Sequence, residues 1–284
     1  MDTDSLQDHG FRPSEIKTDE HYMLGGFSLI GERFQNEVLM PAGHGWKASI
    51  PPRERQNRDG LETMNCTNYA TLQALETIAA FKKYRDFPEN GSERYSGVCT
   101  GTTDRGNNPH DVVEILRSTA GVLREERLPF DERIKTWGQY YSPKPMTQRL
   151  TEEAREILDL FKIGHQWVFD ASDSIEVKRK KLIEALAHGT VCVSVTAWRK
   201  NANGLYYKKP DDRDNHWTHL VDYAEGSHFE VSDSYEPFEK LLAWDYDFEQ
   251  AKVYYLDKLP PKKAVFLRMI QLMKSMLSAL RKSG

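Results

Sequence analysis

A change of hydrophobic rhythm partway along the chain constrains its fold more than any other feature. From Cys66 to about Tyr84, the residues Tyr69, Leu72, Leu75, Ile78 and Ala79 recur at three- and four-residue spacing, the period of a helix with one buried face. Further helices are expected at 109–120, opened by Pro109 and closed before Gly121, at 147–162, and at 174–188, closed by Gly189. Beyond that glycine the rhythm shortens to that of strands, at 191–197, 205–208, 219–223, 228–232 and 252–256, with Asn, Asp and Gly in the loops between them. Helices first and strands later read as an α+β fold.

Composition narrows the class. A chain of 284 residues, 39% hydrophobic and 29% charged, has enough apolar surface for one large domain or two packed lobes. Its formal charge of −4 leaves no electrostatic footprint for nucleic acid. Three cysteines, Cys66, Cys99 and Cys192, stand far apart and form no disulfide framework, so reduced thiols in a cytoplasmic setting are expected. Residues 1–10 lack the basic start and apolar core of a secretory signal, and no run approaches the ~20 apolar residues of a membrane span. A soluble protein is expected; incorporation in a virus particle would leave no different trace.

Three segments follow. Residues 1–44 form an N-terminal arm, loose over 1–22 with short strands over 23–40. Residues 45–260 form the folded domain, helical over about 60–165 and sheet-rich over about 166–260. Residues 261–284 form an amphipathic basic helix, with Val265, Met269, Leu272, Met273, Met276 and Leu280 on one face. That helix is expected to pack on the protein itself or on another subunit; the sharper reading is a partner protein or a membrane surface.

One set of residues carries nucleophilic chemistry. Cys66 stands at the expected helix start, where unpaired N–H groups and the helix dipole favour a thiolate. Thr63 or Asn65 is the candidate cap. A thiolate nucleophile needs an imidazole to stabilise it and to protonate the leaving group. The run DNHWTHLVDY offers two: His219 inside the apolar stretch, and His216 at the loop-to-strand edge, where a base reaches across a cleft. As a metal pair the two lack further ligands, so neither a metal nor another cofactor is expected. Asp233, at the end of the next expected strand, is the candidate for orienting the imidazole, though Asp-Ser is also a common turn starter.

In order along the chain, GWKASIPPRERQ, CTNYATLQALE, GTTDRGNNPHDVVEILRSTAGVLREERLPF, LIEALAHGTVCVSVTAW, NHWTHLVDY and VSDSYEP resemble the segments of papain-like cysteine peptidases. The resemblance covers about residues 45–256. It implies a two-lobe fold, a helical lobe with the nucleophile helix packed against a barrel-like antiparallel lobe, and a peptide or protein substrate in the groove between them. It implies Cys66 as nucleophile and selects His216, because Asn215-His216 is followed at the family's spacing by Asp222-Tyr223. It places Asp233 on the family's orienting asparagine, Tyr235 on the tryptophan that shields that pair, and Gln56 on the glutamine of the oxyanion hole. The chain departs from the pattern in four respects. Thr67 replaces the tryptophan beside the nucleophile. RDGLETMN is inserted between Gln56 and Cys66. A carboxylate stands at Asp233, which would raise the basicity of the imidazole. The first ~45 residues are shorter than the family's inhibitory pro-region. Two other readings fit parts of the pattern: a catalytically silent papain-like scaffold within a larger assembly, and a thiol acyl enzyme of the cell-wall amidase or transglutaminase-like kind.

Overall fold

A computed structural model of the chain describes residues 9–15, 39–40 and 45–260. A two-residue hairpin comes first, β1 (Asn57–Arg58) and β2 (Leu61–Glu62). Helices α1 (Cys66–Phe81), α2 (Glu93–Cys99), α3 (Pro109–Ile115), α4 (Trp137–Tyr140) and α5 (Gln148–Leu160) follow. Then come strand β3 (Phe161–Trp167), helix α6 (Ile175–His188) and strands β4 (Thr190–Val195), β5 (His216–Ala224), β6 (His228–Ser232), β7 (Glu239–Ala243) and β8 (Ala251–Lys258). The six long strands form one antiparallel sheet in the order β3-β8-β4-β5-β6-β7. The expected α+β architecture is observed. The expected helix at 262–284 lies outside the described residues, as do the expected strands before residue 39.

Alternation along β4 decides where the helices pack. Val191, Val193 and Val195 join the core that contains Leu182, Ala185 and Leu186 of α6. Thr190 and Cys192 point to the other face, where the Thr190 hydroxyl donates to the Ala74 carbonyl at 3.0 Å and the Cys192 thiol lies 3.4 Å from the Ala70 carbonyl. Helix α1 therefore lies directly on the sheet. Its apolar residues Leu72, Leu75 and Ile78 are fully buried, each contributing about 2 kcal/mol by burial.

Besides the short hairpin, two strands of the main sheet escaped the sequence reading. In β3 the alternation of Phe161, Ile163, His165 and Trp167 is masked by its fusion to the end of α5. Gly164 is required there, since a Cβ would fall 1.7 Å from the Tyr255 ring. In β7 the buried positions are Lys240 and Leu242 while Leu241 is exposed, so the apolar signal is inverted. Residues 205–208, expected as a strand, form only isolated bridges at Tyr206. The helix expected over 109–120 continues past α3 as a π turn, Leu116–Ala120, and ends at Gly121 with φ of 72°. Cys66, Cys99 and Cys192 are free thiols. Among the described residues no helix is long and apolar enough to cross a membrane.

Glu76 on α1 is buried beneath the loop at Gly91, whose N–H donates to it at 2.6 Å. Burial outweighs that bond and, with Glu54 and Glu125 nearby, pushes its carboxyl up to about 8. In the unfolded chain the group ionises near its ordinary value, so folding loses roughly 1.4 kcal/mol per pH unit from about pH 4.5 to about pH 8. Glu76→Gln keeps the acceptor for Gly91 and removes this penalty. Chemical denaturation should show the variant more stable than wild type at pH 8, by roughly 2 kcal/mol or more, and indistinguishable at pH 4.5.

Candidate functional site

Cys66 is the first residue of α1 and is fully buried. Asn65 precedes it but does not cap the helix with its side chain. Its amide nitrogen donates instead to the Glu93 carbonyl at 2.8 Å and to the Tyr140 hydroxyl at 3.1 Å, and its oxygen accepts from Asn68 at 2.7 Å. These bonds tie the start of α1 to α2 and α4. The first-turn N–H groups of a 16-residue helix are thereby held beside the thiol.

His216, Asp233 and a lysine meet because of strand order. β5 and β6 are antiparallel neighbours, so the start of β5 lies beside the end of β6, and β7 begins at that same end. His216 opens β5, and Asp233 follows β6 in the turn to β7, its N–H donating to the Phe238 carbonyl at 2.7 Å. His216 Nε2 stands 2.5 Å from Asp233 Oδ1, and both side chains are inaccessible. Asp233 Oδ2 accepts from Lys240 Nζ at 2.6 Å. Burial works against the charge of Asp233. The partners His216 and Lys240 outweigh it and hold the carboxyl below its ordinary range. Among the described residues, His216 Nδ1 has no hydrogen-bond partner, and it is buried on the side turned away from Asp233. Trp198 and Tyr235 pack on the ring, with centroids at 5.5 and 5.2 Å.

The insertion between Gln56 and Cys66 is the hairpin β1–β2. Asp59 and Gly60 form its turn with φ of 52° and 82°, both in the left-handed region that an Asp-Gly turn supplies. Folding back on itself, the insertion returns the chain to Gln56, whose carbonyl accepts from the Thr63 hydroxyl at 2.9 Å. Gln56 Nε2 donates to the Tyr235 hydroxyl at 2.6 Å and to Glu62 Oε1 at 2.7 Å, and its Oε1 accepts from the Ser234 hydroxyl at 2.7 Å. The Tyr235 hydroxyl donates in turn to Glu62 Oε2 at 2.6 Å. Burial, Glu62 and the neighbouring Cys66 thiol all push ionisation of Tyr235 far upward, so it acts as a neutral donor. His216, Asp233, Tyr235 and Gln56 thus form one network, with Cys66 at its edge.

Residues 9–15, expected as part of a loose arm, are seated across this network. The N–H groups of His9 and Phe11 donate to the Asn215 carbonyl at 3.3 and 3.4 Å, on the His216 side. Asn107 N–H donates to the Gly10 carbonyl and Arg12 N–H to the Asn107 carbonyl, both at 3.0 Å, on the helical side. Gly10 has φ of 96°, and a Cβ there would fall 2.2 Å from the carbonyl oxygen of Met64. Phe11 stacks on Trp217, with centroids 5.5 Å apart and planes 5° apart. The His9 ring stands 5.9 Å from that of His216, its Nδ1 is 3.2 Å from the Tyr235 hydroxyl, and its carbonyl is 3.4 Å from Gln56 Nε2. Burial and the neighbouring His216 pull the His9 imidazole down to about 4, with Asp233 opposing.

Other expected residues lie elsewhere. His219 faces α1, its Nδ1 3.3 Å from Gln73, and burial lowers it to about 3, which makes it a neutral core residue. The side chains of Lys240, Glu62 and His9 were missed. No periodicity marks a buried lysine in a short strand, nor a distant segment that docks by its backbone. Among the described residues, His110, Glu114 and His165 have ligand atoms close enough for a metal ion. However, Arg117 holds both oxygens of Glu114, at 2.7 and 2.8 Å, and Lys252 lies 3.2 Å from His165 Nδ1. Burial opposes ionisation of Glu114, yet the bonds from His165 and Arg117 prevail and bring it down to about 2. The cluster is an ion-pair relay beneath α3, away from Cys66.

No protein-family model and no curated protein matches the chain in sequence. Solved structures do match in shape. The procathepsin L2 proteinase from Tenebrio molitor larval midgut superposes with a TM-score of 0.58 at 14% identity, covering 88% of this chain and 78% of its own. Xylellain, a cysteine protease from Xylella fastidiosa, gives 0.55 at 18% identity over 89% and 96%. The bromelain protease from Ananas comosus, in complex with the E64 inhibitor, gives 0.53 at 18% identity over 77% and 100%. The order of helices and strands, the position of Cys66 at a helix start and these superpositions together establish that the chain has the papain-like cysteine protease fold.

Proposed function

We propose that the protein is a cysteine-type peptidase acting through Cys66, His216 and Asp233, and that the form described here is its closed state. One observation carries the reading. Asp233 holds Nε2 of His216, which leaves Nδ1 as the nitrogen available to a thiol at the start of α1. In this mechanism His216 Nδ1 takes the proton of the Cys66 thiol, Sγ attacks the carbonyl carbon of a peptide, and the carbonyl electron pair moves to its oxygen. The backbone N–H of Cys66 and the Gln56 amide hold that oxyanion. As the C–N bond breaks, His216 gives its proton to the departing amine. His216 then takes a proton from water, which attacks the thioester and releases the acid and the Cys66 thiol. The His9 carbonyl, within reach of Gln56, stands in for the substrate carbonyl, and the segment His9–Arg12 competes for the cleft.

One observation favours a second reading, a silent scaffold. The Gln56 amide already donates to Glu62 and Tyr235, and Cys66 is inaccessible. Opening the cleft separates the two.

Gly10→Val places a branched side chain where the Met64 carbonyl stands, at a φ unsuited to it, and should expel the segment. A thiol-directed epoxide should then label Cys66 at least about tenfold faster than in wild type, equivalent to about 1.4 kcal/mol of lost docking, with peptide hydrolysis rising in parallel. Cys66→Ala in the Gly10→Val background should lose both. Labelling without hydrolysis of any peptide in a diverse library would support the scaffold reading.

Acid should open the cleft as well. His9 docks neutral, and its imidazole falls from 6.5 when free to about 4 when docked. Docking therefore weakens from about pH 6.5 down to about pH 4 and is unaffected above that window. The labelling rate of wild type, divided by that of Gly10→Val at the same pH, should climb toward one across this range. In His9→Gln the ratio should stay flat.

A further inference from the structure

The orienting group of His216 carries a formal charge, yet the charge does not stand alone. Lys240 Nζ is surrounded by three acceptors: Asp233 Oδ2 at 2.6 Å, the Tyr235 carbonyl at 2.7 Å and the Pro237 carbonyl at 2.6 Å. Three acceptors around one nitrogen match the three hydrogens of an ammonium, and a neutral amine could satisfy only two. Lys240 is 2% exposed, and its Nζ sits over the Trp198 ring, 4.7 Å from the centroid. That same indole packs edge-on against His216. The other carboxylate oxygen, Oδ1, accepts from His216 and from the Ser234 N–H at 2.9 Å. One oxygen of Asp233 thus faces the imidazole, and the other is capped by a cation.

We propose that Lys240 is a positioning residue for His216: by pairing with Asp233 it makes the orienting group electrically equivalent to a neutral amide while fixing the carboxylate's orientation. It acts through Asp233. A cation bonded to the carboxylate offsets the very charge on which the expectation of a more basic imidazole rested. The other titratable side chains packed on the His216 ring are His9 and Tyr235. Lys240 is also under the influence of Lys200. None of them supplies a second compensating cation hydrogen-bonded to Asp233.

The reading of Cys66 and His216 as a catalytic pair motivates the assignment, but the test is built to stand apart from it. In a Cys66→Ala background, which removes the coupled thiol, the ring protons of His216 are followed by NMR across pH 4–10. Lys240→Met leaves Asp233 uncompensated and should move the His216 titration upward by about 1 unit or more. Asp233→Asn leaves the ammonium uncompensated and should move it downward by a similar amount. The double variant Asp233→Asn/Lys240→Met should return to within about half a unit of the parent. If Lys240→Met unfolds the chain, as a lone buried carboxylate can, the comparison of Asp233→Asn with the double variant carries the test. Identical titrations in those two, or in Lys240→Met and its parent, overturn the proposal and leave the lysine a structural prop. With Cys66 present, the alkaline limb of epoxide labelling in the Gly10→Val protein should shift in the same directions. Absence of peptide hydrolysis by Gly10→Val would sink the peptidase reading while leaving the NMR comparison intact.

Discussion

The cleft depends on α1 lying flat against the sheet, and small polar side chains make that approach possible. Thr190 bonds to the helix backbone at Ala74, the Cys192 thiol sits at Ala70, and Thr71 on the helix meets the Tyr254 hydroxyl at 3.3 Å. Larger groups at these positions would lift the helix and move its first residue away from the end of β5. Once α1 is seated, its N-terminus and the edge carrying His216 are fixed relative to each other without any disulfide. The site is therefore as rigid as the helix-to-sheet contact beneath it.

Strand order does the rest of the positioning. A histidine at the start of one strand and an aspartate at the end of the next are remote in sequence, yet an antiparallel pair sets them side by side. The next strand adds Lys240 at the same end. Three consecutive strands thus deliver a histidine, an aspartate and a lysine to one point. The cost of burying two charges there is offset by mutual pairing and by backbone carbonyls that saturate the ammonium.

Much of this was legible in the residues. The helix of Cys66 announced itself through Leu72, Leu75 and Ile78, and β4 through its alternating valines, because burial of one face imposes a period. His216 and Asp233 were recognisable from local motifs around them. Lys240 was not, since a buried charge is dictated by a tertiary partner and leaves no periodic mark. β3 was hidden because it follows α5 with no loop between them and carries His165 among its inward residues. The hairpin at Asp59-Gly60 read as an insertion that displaced Gln56, when its turn geometry in fact cancels the extra length. His9–Arg12 could not be anticipated: the segment is held by main-chain hydrogen bonds, which any sequence can offer, and by Phe11, a single apolar residue that sets no period.

That last property has a kinetic side. A cleft filled by its own chain meets the occupant at an effective concentration on the order of millimolar, whatever the protein's dilution. The occupant is held by main-chain hydrogen bonds and by Phe11, which is 3% exposed and stacked on Trp217, so opening must expose that ring as well. Gly10 sets the fit of that segment, since a Cβ there would fall 2.2 Å from the Met64 carbonyl oxygen. On the closed-state reading, the latch is thus one buried ring and its seat one glycine.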